Sequence, residues 1–209
     1  MVNDAQRGET MGNRSASDGD QHDDPDLSHV QPETGDSEVC DENDESGLPK
    51  PQEYDRPYFD ASKHRGDLSD GTYVVESALQ SGKVMDVSGG STADYGNVQL
   101  YTDNGTDAQV WKVSHDGKGY VTFTNANSGK VLDVNGASTA DGANVQQYAS
   151  NGTWAQKWIA VKNADGSYTF YSGLHDRKVL DVYGGMTSNG ANVQLYAGNG
   201  TKAQRWTIK

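Results

Sequence analysis

The stretch KVLDVNGASTADGANVQQYASNGTWAQKW, residues 130–158, is one of three nearly identical passages in this chain. The others are KVMDVSGGSTADYGNVQLYTDNGTDAQVW at 83–111 and KVLDVYGGMTSNGANVQLYAGNGTKAQRW at 178–206. Aligned without gaps, the second and third copies agree at 20 positions and the first and second at 19. One Asp recurs as Asp86, Asp133 and Asp181, and the closing Trp as Trp111, Trp158 and Trp206, both at steps of 47 and 48. A period in this range marks a repeat architecture in which each copy is one supersecondary unit.

Within a copy the apolar residues alternate with period two. Leu132 and Val134 share one face of KVLDV, with Val131 and Asp133 on the other, and Val98 and Leu100 share one face of NVQLY. In QVWKV, Gln109, Trp111 and Val113 fall together. A further strand precedes each passage: GTYVVESAL (71–79), GYVTFTNA (119–126) and GSYTFYSG (166–173). GG, DG, NG and SNG separate these runs and supply tight turns. No segment shows capped helical periodicity. Four short strands taken three times predict an all-β domain of twelve strands, arranged with pseudo-threefold symmetry and closed so that sheet edges are covered.

Composition separates this unit from what precedes it. Of 30 acidic residues, 19 lie in residues 1–70 beside only 6 of the 17 Lys and Arg, so the whole net charge of −13 sits there. Residues 1–53 hold few large apolar side chains and self-repelling runs such as HDDPD and DENDE. Such a segment cannot bury enough surface to offset its ordering entropy, so residues 1–68 are expected to form a disordered acidic tail. Residues 54–70, with three aromatics, are a candidate lead-in that packs on the domain. The folded domain is expected over 69–209, with repeats at about 71–116, 117–163 and 164–209. Cys40 is the only cysteine, so the domain holds no disulfide. MVNDAQRGET carries no apolar core of a signal peptide, QPETG (32–36) reads as a chance likeness to a sorting signal, and no stretch has the length of a membrane span.

Three copies of such a unit, each with an apolar-Asp-Val strand, an aromatic-ended strand and a terminal Gln-x-Trp, resemble the ricin B-type lectin domain, a β-trefoil. The triplets are Gln109-Val-Trp111, Gln156-Lys-Trp158 and Gln204-Arg-Trp206, each Trp 25 residues after its Asp. The resemblance covers 71–209 and implies carbohydrate binding through up to three shallow sites. By position it assigns the carboxylates to Asp86, Asp133 and Asp181 and the stacking platforms to Tyr101, Tyr148 and Tyr196. Gln99, Gln146 and Gln194 match supporting polar positions, as do Gln109, Gln156 and Gln204. It also implies an extracellular or cell-surface setting, in which modules of this kind are appended to secreted glycoside hydrolases.

The residue types suit that chemistry in their own right. A sugar offers hydroxyls that donate and accept and an apolar C–H face, so a competent site needs a carboxylate, an amide and an aromatic ring. Alternation turns the Asp and the Tyr outward on their strands. One position departs from the family: where many sugar-binding members place Asn before the Gln of Gln-x-Trp, this chain has Ala108, Ala155 and Ala203. Asn97, Asn144 and Asn192, or the NGT loops, replace that contact, or affinity is low. Structural readings stand beside these. The three Trp belong to the core, the Gln of Gln-x-Trp satisfies backbone groups or ligand, and the Asp holds a turn or a sugar. Trp154, where the other copies have Asp107 and Lys202, marks an adapted site or local packing.

Other chemistries lack their residues. DNGTD (103–107) has acidic oxygens but no distal Glu of a calcium loop and reads as a turn. His115 and His175, read as turn residues, have no cysteine or second histidine at zinc spacing. No nucleophile elbow, Walker-type loop or paired catalytic carboxylates stand out. A neutral domain with an acidic tail does not suit nucleic acid. The expectation is a monomeric, non-catalytic module that needs no cofactor or metal and whose partners are polysaccharide or glycoconjugate glycans. A protein-binding trefoil and a detached module of a secreted glycoside hydrolase are the alternatives.

Overall fold

The computed structural model describes residues 60–175 and 177–209, so the expected disorder of 1–59, with QPETG and Cys40, lies outside the described residues. Twelve strands are present among the described residues: β1 (Gly71–Ser77), β2 (Lys83–Val87), β3 (Gly96–Thr102), β4 (Val110–His115), β5 (Val121–Asn125), β6 (Val131–Val134), β7 (Ala143–Tyr148), β8 (Trp158–Lys162), β9 (Tyr168–Ser172), β10 (Lys178–Val182), β11 (Ala191–Ala197) and β12 (Trp206–Ile208). Among the described residues no helical segment is more than a single 3-10 turn, and none is long and apolar enough to cross a membrane.

Pairing closes six of these strands into a ring. β1 pairs β4, β4 pairs β5, β5 pairs β8, β8 pairs β9, β9 pairs β12, and β12 returns to β1, all antiparallel. The remaining six form the hairpins β2–β3, β6–β7 and β10–β11. Those hairpins meet at one end of the barrel through β3–β7, β7–β11 and β11–β3. A six-stranded barrel capped by a triangle of three hairpins is the β-trefoil expected from the repeats.

The core repeats as the sequence does. Trp111, Trp158 and Trp206 are fully buried, and each indole N–H donates to a carbonyl of its own repeat's Asp-bearing strand: Met85 at 3.1 Å, Leu132 at 3.3 Å and Leu180 at 3.3 Å. The core reading of the Trp therefore holds. Leu100, Leu132, Leu180, Leu195, Phe123 and Phe170 fill the barrel around them.

Repeats are latched to one another by a triplet the period alone does not show. The Lys opening each Asp-bearing strand reaches into the loop of the preceding repeat: Lys83 to Asn189 at 2.6 Å, Lys130 to Asp94 at 2.7 Å and Lys178 to Asp141 at 2.6 Å. The same loop residues accept backbone N–H groups of Thr102, Ala149 and Ala197.

The packed unit starts earlier than the boundary expected at 69. Residues 61–64 form a 3-10 turn capped by Asp60, Ala61 packs with Tyr120 and Ile159, and Leu68 is buried in the main core. The carbonyl of Asp67 accepts the Tyr168 hydroxyl at 3.0 Å. Gly119, at φ 97°, lies so close that a Cβ there would run into the Ala61 carbonyl. Apolar residues at 61 and 68 supply the burial that the acidic composition of the segment obscures.

Candidate ligand-binding clefts

Each hairpin brings its Asp and Tyr together. In β2–β3, Asp86 lies opposite Gln99 and Val84 opposite Tyr101; in β6–β7, Asp133 faces Gln146 and Val131 faces Tyr148; in β10–β11, Asp181 faces Gln194 and Val179 faces Tyr196. Asp and Tyr are thus diagonal neighbours on one face, within reach of a single ligand. Each carboxylate accepts the amide of its facing Gln through Oδ1, at 2.8 Å from Gln99, 3.0 Å from Gln146 and 2.8 Å from Gln194.

The outward-facing Asp is nevertheless covered. All three are buried, because the Gln of Gln-x-Trp folds over them from a 3-10 turn. The Nε2 of Gln156 and Gln204 donates to Oδ2 of Asp133 and Asp181, each at 3.1 Å, and Gln109 likewise bonds Asp86. The same Nε2 atoms donate to the carbonyls of Thr102, Ala149 and Ala197. Their Oε1 accepts the N–H of Asn104, Asn151 and Asn199, which pins the NGT loops. Gln109, Gln156 and Gln204 are therefore clamps that hold carboxylate and loop in one geometry, and they are sealed from solvent. Burial raises the pKa of Asp86, Asp133 and Asp181 above the ordinary aspartate value, partly offset by the two Gln amides. With one donor on each oxygen, a carboxylate retains room for about two further hydrogen bonds.

Over the first hairpin a cleft of about 670 Å³ is lined by Asp86, Gln99, Tyr101, Asn104, Asp107 and Asn127, with Gly89 and Gly90 forming its floor turn. Over the third, about 650 Å³ is lined by Asp181, Gln194, Tyr196, Tyr183, Lys202 and Leu79. Leu79 belongs to the first repeat and Asn127 to the second, so each cleft borrows a wall from its neighbour. The rims differ: Asp107 stands in the first where Lys202 stands in the third, and Tyr183 adds a second, exposed aromatic to the third. In the second hairpin Tyr148 carries the ring of Tyr95 edge-on, with centroids 5.0 Å apart and planes at 64°.

Several expected ligand contacts lie elsewhere. Asn97, Asn192 and Asn144 are not among the residues lining the two clefts; Asn97 donates to Asn192 and Asn192 to Asn144, each at 2.9 Å, where the three hairpins meet. The NGT loops do line the clefts, beside Ala108 in the first and Ala203 in the third. Asn104 and Asn199 line their clefts, and since each Oδ1 is taken by the following Thr, the amide N–H groups are the donors on offer. Trp154 packs edge-on against Tyr120 at 5.1 Å with Lys157 Nζ 4.8 Å from its ring, beside Ala61 and Ile159. These are packing contacts within the domain. His115 ends β4 rather than lying in a turn, and bonds Asp70 at 2.6 Å. Asp103 closes its own turn onto Gly105, and among the described residues no three His, Cys, Asp or Glu gather as a metal site would require.

The second wall of each cleft was missed in the sequence, because it comes from another repeat. Tyr95 and Tyr183 did carry a signal: both stand where the aligned copies have small residues.

A closed threefold β-barrel bearing an Asp–Gln–Tyr cluster on each hairpin defines the trefoil lectin class. The model of the ricin-type β-trefoil lectin domain-like family matches residues 59–148, 109–196 and 154–209, and the chain belongs to that family. A designed threefold-symmetric protein, ThreeFoil, is similar at 42% identity and TM-score 0.64, over 66% of this chain and 98% of that one. The exo-β-1,3-galactanase 1,3Gal43A of Clostridium thermocellum is 34% identical with TM-score 0.63, over 66% of this chain but only 29% of the enzyme. The Macrolepiota procera ricin B-like lectin, solved in complex with lactose, is 25% identical with TM-score 0.58, over 68% of this chain and 96% of the lectin. No curated protein matches the chain.

Proposed function

We propose that the domain is a non-catalytic module that binds galactose-containing glycans through its hairpin clefts, outside the cell or at its surface. The observation that carries the reading is the repeated cluster: a buried carboxylate with free acceptor capacity, an adjacent Gln amide and a partly exposed Tyr ring, all on one face. The carboxylate and the Asn104 or Asn199 amide bind hydroxyls, and the ring receives the sugar's C–H face. Galactosides are the first sugars to test because one relative holds lactose and another domain of this kind sits in a β-1,3-galactanase. That second relative also favours a tethering role, since there the module is a minor part of a larger enzyme.

Titration with galactose, lactose and β-1,3-galactan, followed by NMR, tests the proposal. Amides of residues 104–108 and 199–203 shift on binding, and neither EDTA nor moderate salt changes the affinity, since ligand and domain are both close to neutral. Absence of any shift with all three sugars, or dependence on a divalent cation, contradicts it. Three weak sites on one domain also predict that galactan binds far more tightly than galactose, by about 10²–10⁴ when it spans them.

A further inference from the structure

The three hairpins are not equivalent, and one of the differences is a strained residue. Tyr95 is 65% exposed and sits at φ 66°, a region that bulky L-residues rarely adopt. The aligned residues are Gly142 and Gly190, at φ 85° and 87°, for which this backbone is unstrained. A side chain at this position stands beside the next hairpin's cluster: a Cβ on Gly142 would lie 3.8 Å from Gln194 Oε1, and one on Gly190 3.8 Å from Gln99 Oε1. At Tyr95 the neighbouring ring is Tyr148, the platform expected for the second site.

Two further departures accompany Tyr95. Gln147 is fully buried where the other copies have Leu100 and Leu195. Its Nε2 donates to the carbonyls of Ser91 and Ala93 at 2.7 and 2.9 Å and its Oε1 accepts the Ser128 hydroxyl at 2.7 Å, while its backbone carbonyl accepts the Tyr95 N–H at 3.0 Å as Leu195 and Leu100 accept those of Gly142 and Gly190. Gly96 replaces Ala143 and Ala191 because a Cβ there would meet the Gln147 side chain at 2.7 Å. A buried polar residue that ties down residues 91–93, a lost methyl and a strained backbone thus coincide in the loop that carries one exposed aromatic against another. Strain retained at a fully supported surface position points to function rather than to packing.

We infer that Tyr95 is a specificity-determining residue that makes the second hairpin a two-ring site, selective for consecutive sugar units of a chain over a single terminal sugar. Centroids 5.0 Å apart leave no gap for a ligand between the rings. With planes at 64° and their hydroxyls bonded to each other, they present two angled faces, so that one sugar stacks on Tyr148 and its neighbour in the chain on Tyr95. The first and third hairpins meet a glycine at this position, and the third carries its second aromatic, Tyr183, after its own Asp-bearing strand instead. This inference rests on the glycan-binding reading above.

The test uses the full chain carrying Tyr101→Ala and Tyr196→Ala, which disables the other two platforms, with and without Tyr95→Gly. The probes are galactose and β-1,3-galactotriose, read by calorimetry and by the Ala149 and Asn151 amide shifts. Tyr95→Gly is expected to weaken the trisaccharide about three- to tenfold, the range of one aromatic contact. Galactose is expected to change by less than twofold. The melting temperature is expected to stay level or rise, because the strain is relieved. Equal effects on both sugars, no effect on either, or tighter binding because Tyr95 merely covers Tyr148, would each overturn the inference. If neither sugar binds the unmodified chain at any hairpin, the glycan reading itself fails, and the Tyr95 assignment falls with it.

Discussion

Asp181→Ala removes a ligand group and a structural acceptor at once, and the two consequences can be separated. Gln194 is buried and, among the described residues, its Nε2 bonds Asp181 Oδ1 alone, whereas Gln204 keeps the Ala197 carbonyl at 2.9 Å when its 3.1 Å bond to Oδ2 is lost. One buried donor is therefore stranded, a loss of about 1–3 kcal/mol. Relief of the buried carboxylate, whose pKa is raised by desolvation, offsets part of it, so a net loss of about 1–2 kcal/mol is expected. For a domain of this size that lowers Tm by about 2–8 °C. Calorimetry of Asp181→Ala, Gln194→Ala and the double variant closes the cycle, and the double variant should be more stable than additivity predicts by about 1 kcal/mol. An unchanged Tm for Asp181→Ala together with strict additivity would refute the clamp. Removing all three Asp residues strands three donors, about 3–6 kcal/mol from a total of about 5–15. Loss of binding in that triple variant is then partly loss of fold, and the exposed platforms offer the cleaner probe.

Tyr101→Ala and Tyr196→Ala should weaken glycan binding at their own clefts about three- to tenfold while Tm moves by less than about 2 °C, as checked by NMR titration and calorimetry. Trp154→Ala should do the reverse, costing about 1–3 kcal/mol in denaturant unfolding through lost contact with Tyr120 and Lys157, with sugar affinity unchanged. Truncation before Asp60 should leave Tm unaltered, whereas truncation after Leu68 should destabilise by about 2–4 kcal/mol, because Leu68 and Ala61 no longer cover the core. On acidification, binding should fail first. Asp86, Asp133 and Asp181 have raised pKa values, so they protonate in the window above the ordinary 3.8. Their protonation removes the hydroxyl acceptor. It also relieves a destabilisation that is fully present above the folded pKa. Asp94 and Asp141, depressed by Lys130 and Lys178, contribute stability present above 3.8 and lost only as pH falls through their lower folded values. Affinity and Tm measured across this range should separate, and binding that persists below 3.8 would exclude the carboxylate as the acceptor.

Alternation and period were enough to read the barrel. A strand turns its side chains to alternate faces whatever surrounds it, so KVLDV, NVQLY and QVWKV announced their strands and their buried Trp locally. The Asp and Tyr of one hairpin were legible for the same reason, being carried on consecutive strands. What occurs between repeats was not legible. That Leu79 walls the third cleft, that Asn97, Asn144 and Asn192 spend their amides on one another, and that Trp154 shelters Ala61 all depend on which surfaces the closed ring brings together. Three near-identical copies make each residue's own surroundings look alike in sequence. Only the threefold packing, where each copy meets a different neighbour, gives Tyr95 a partner in Tyr148 that Gly142 and Gly190 do not provide.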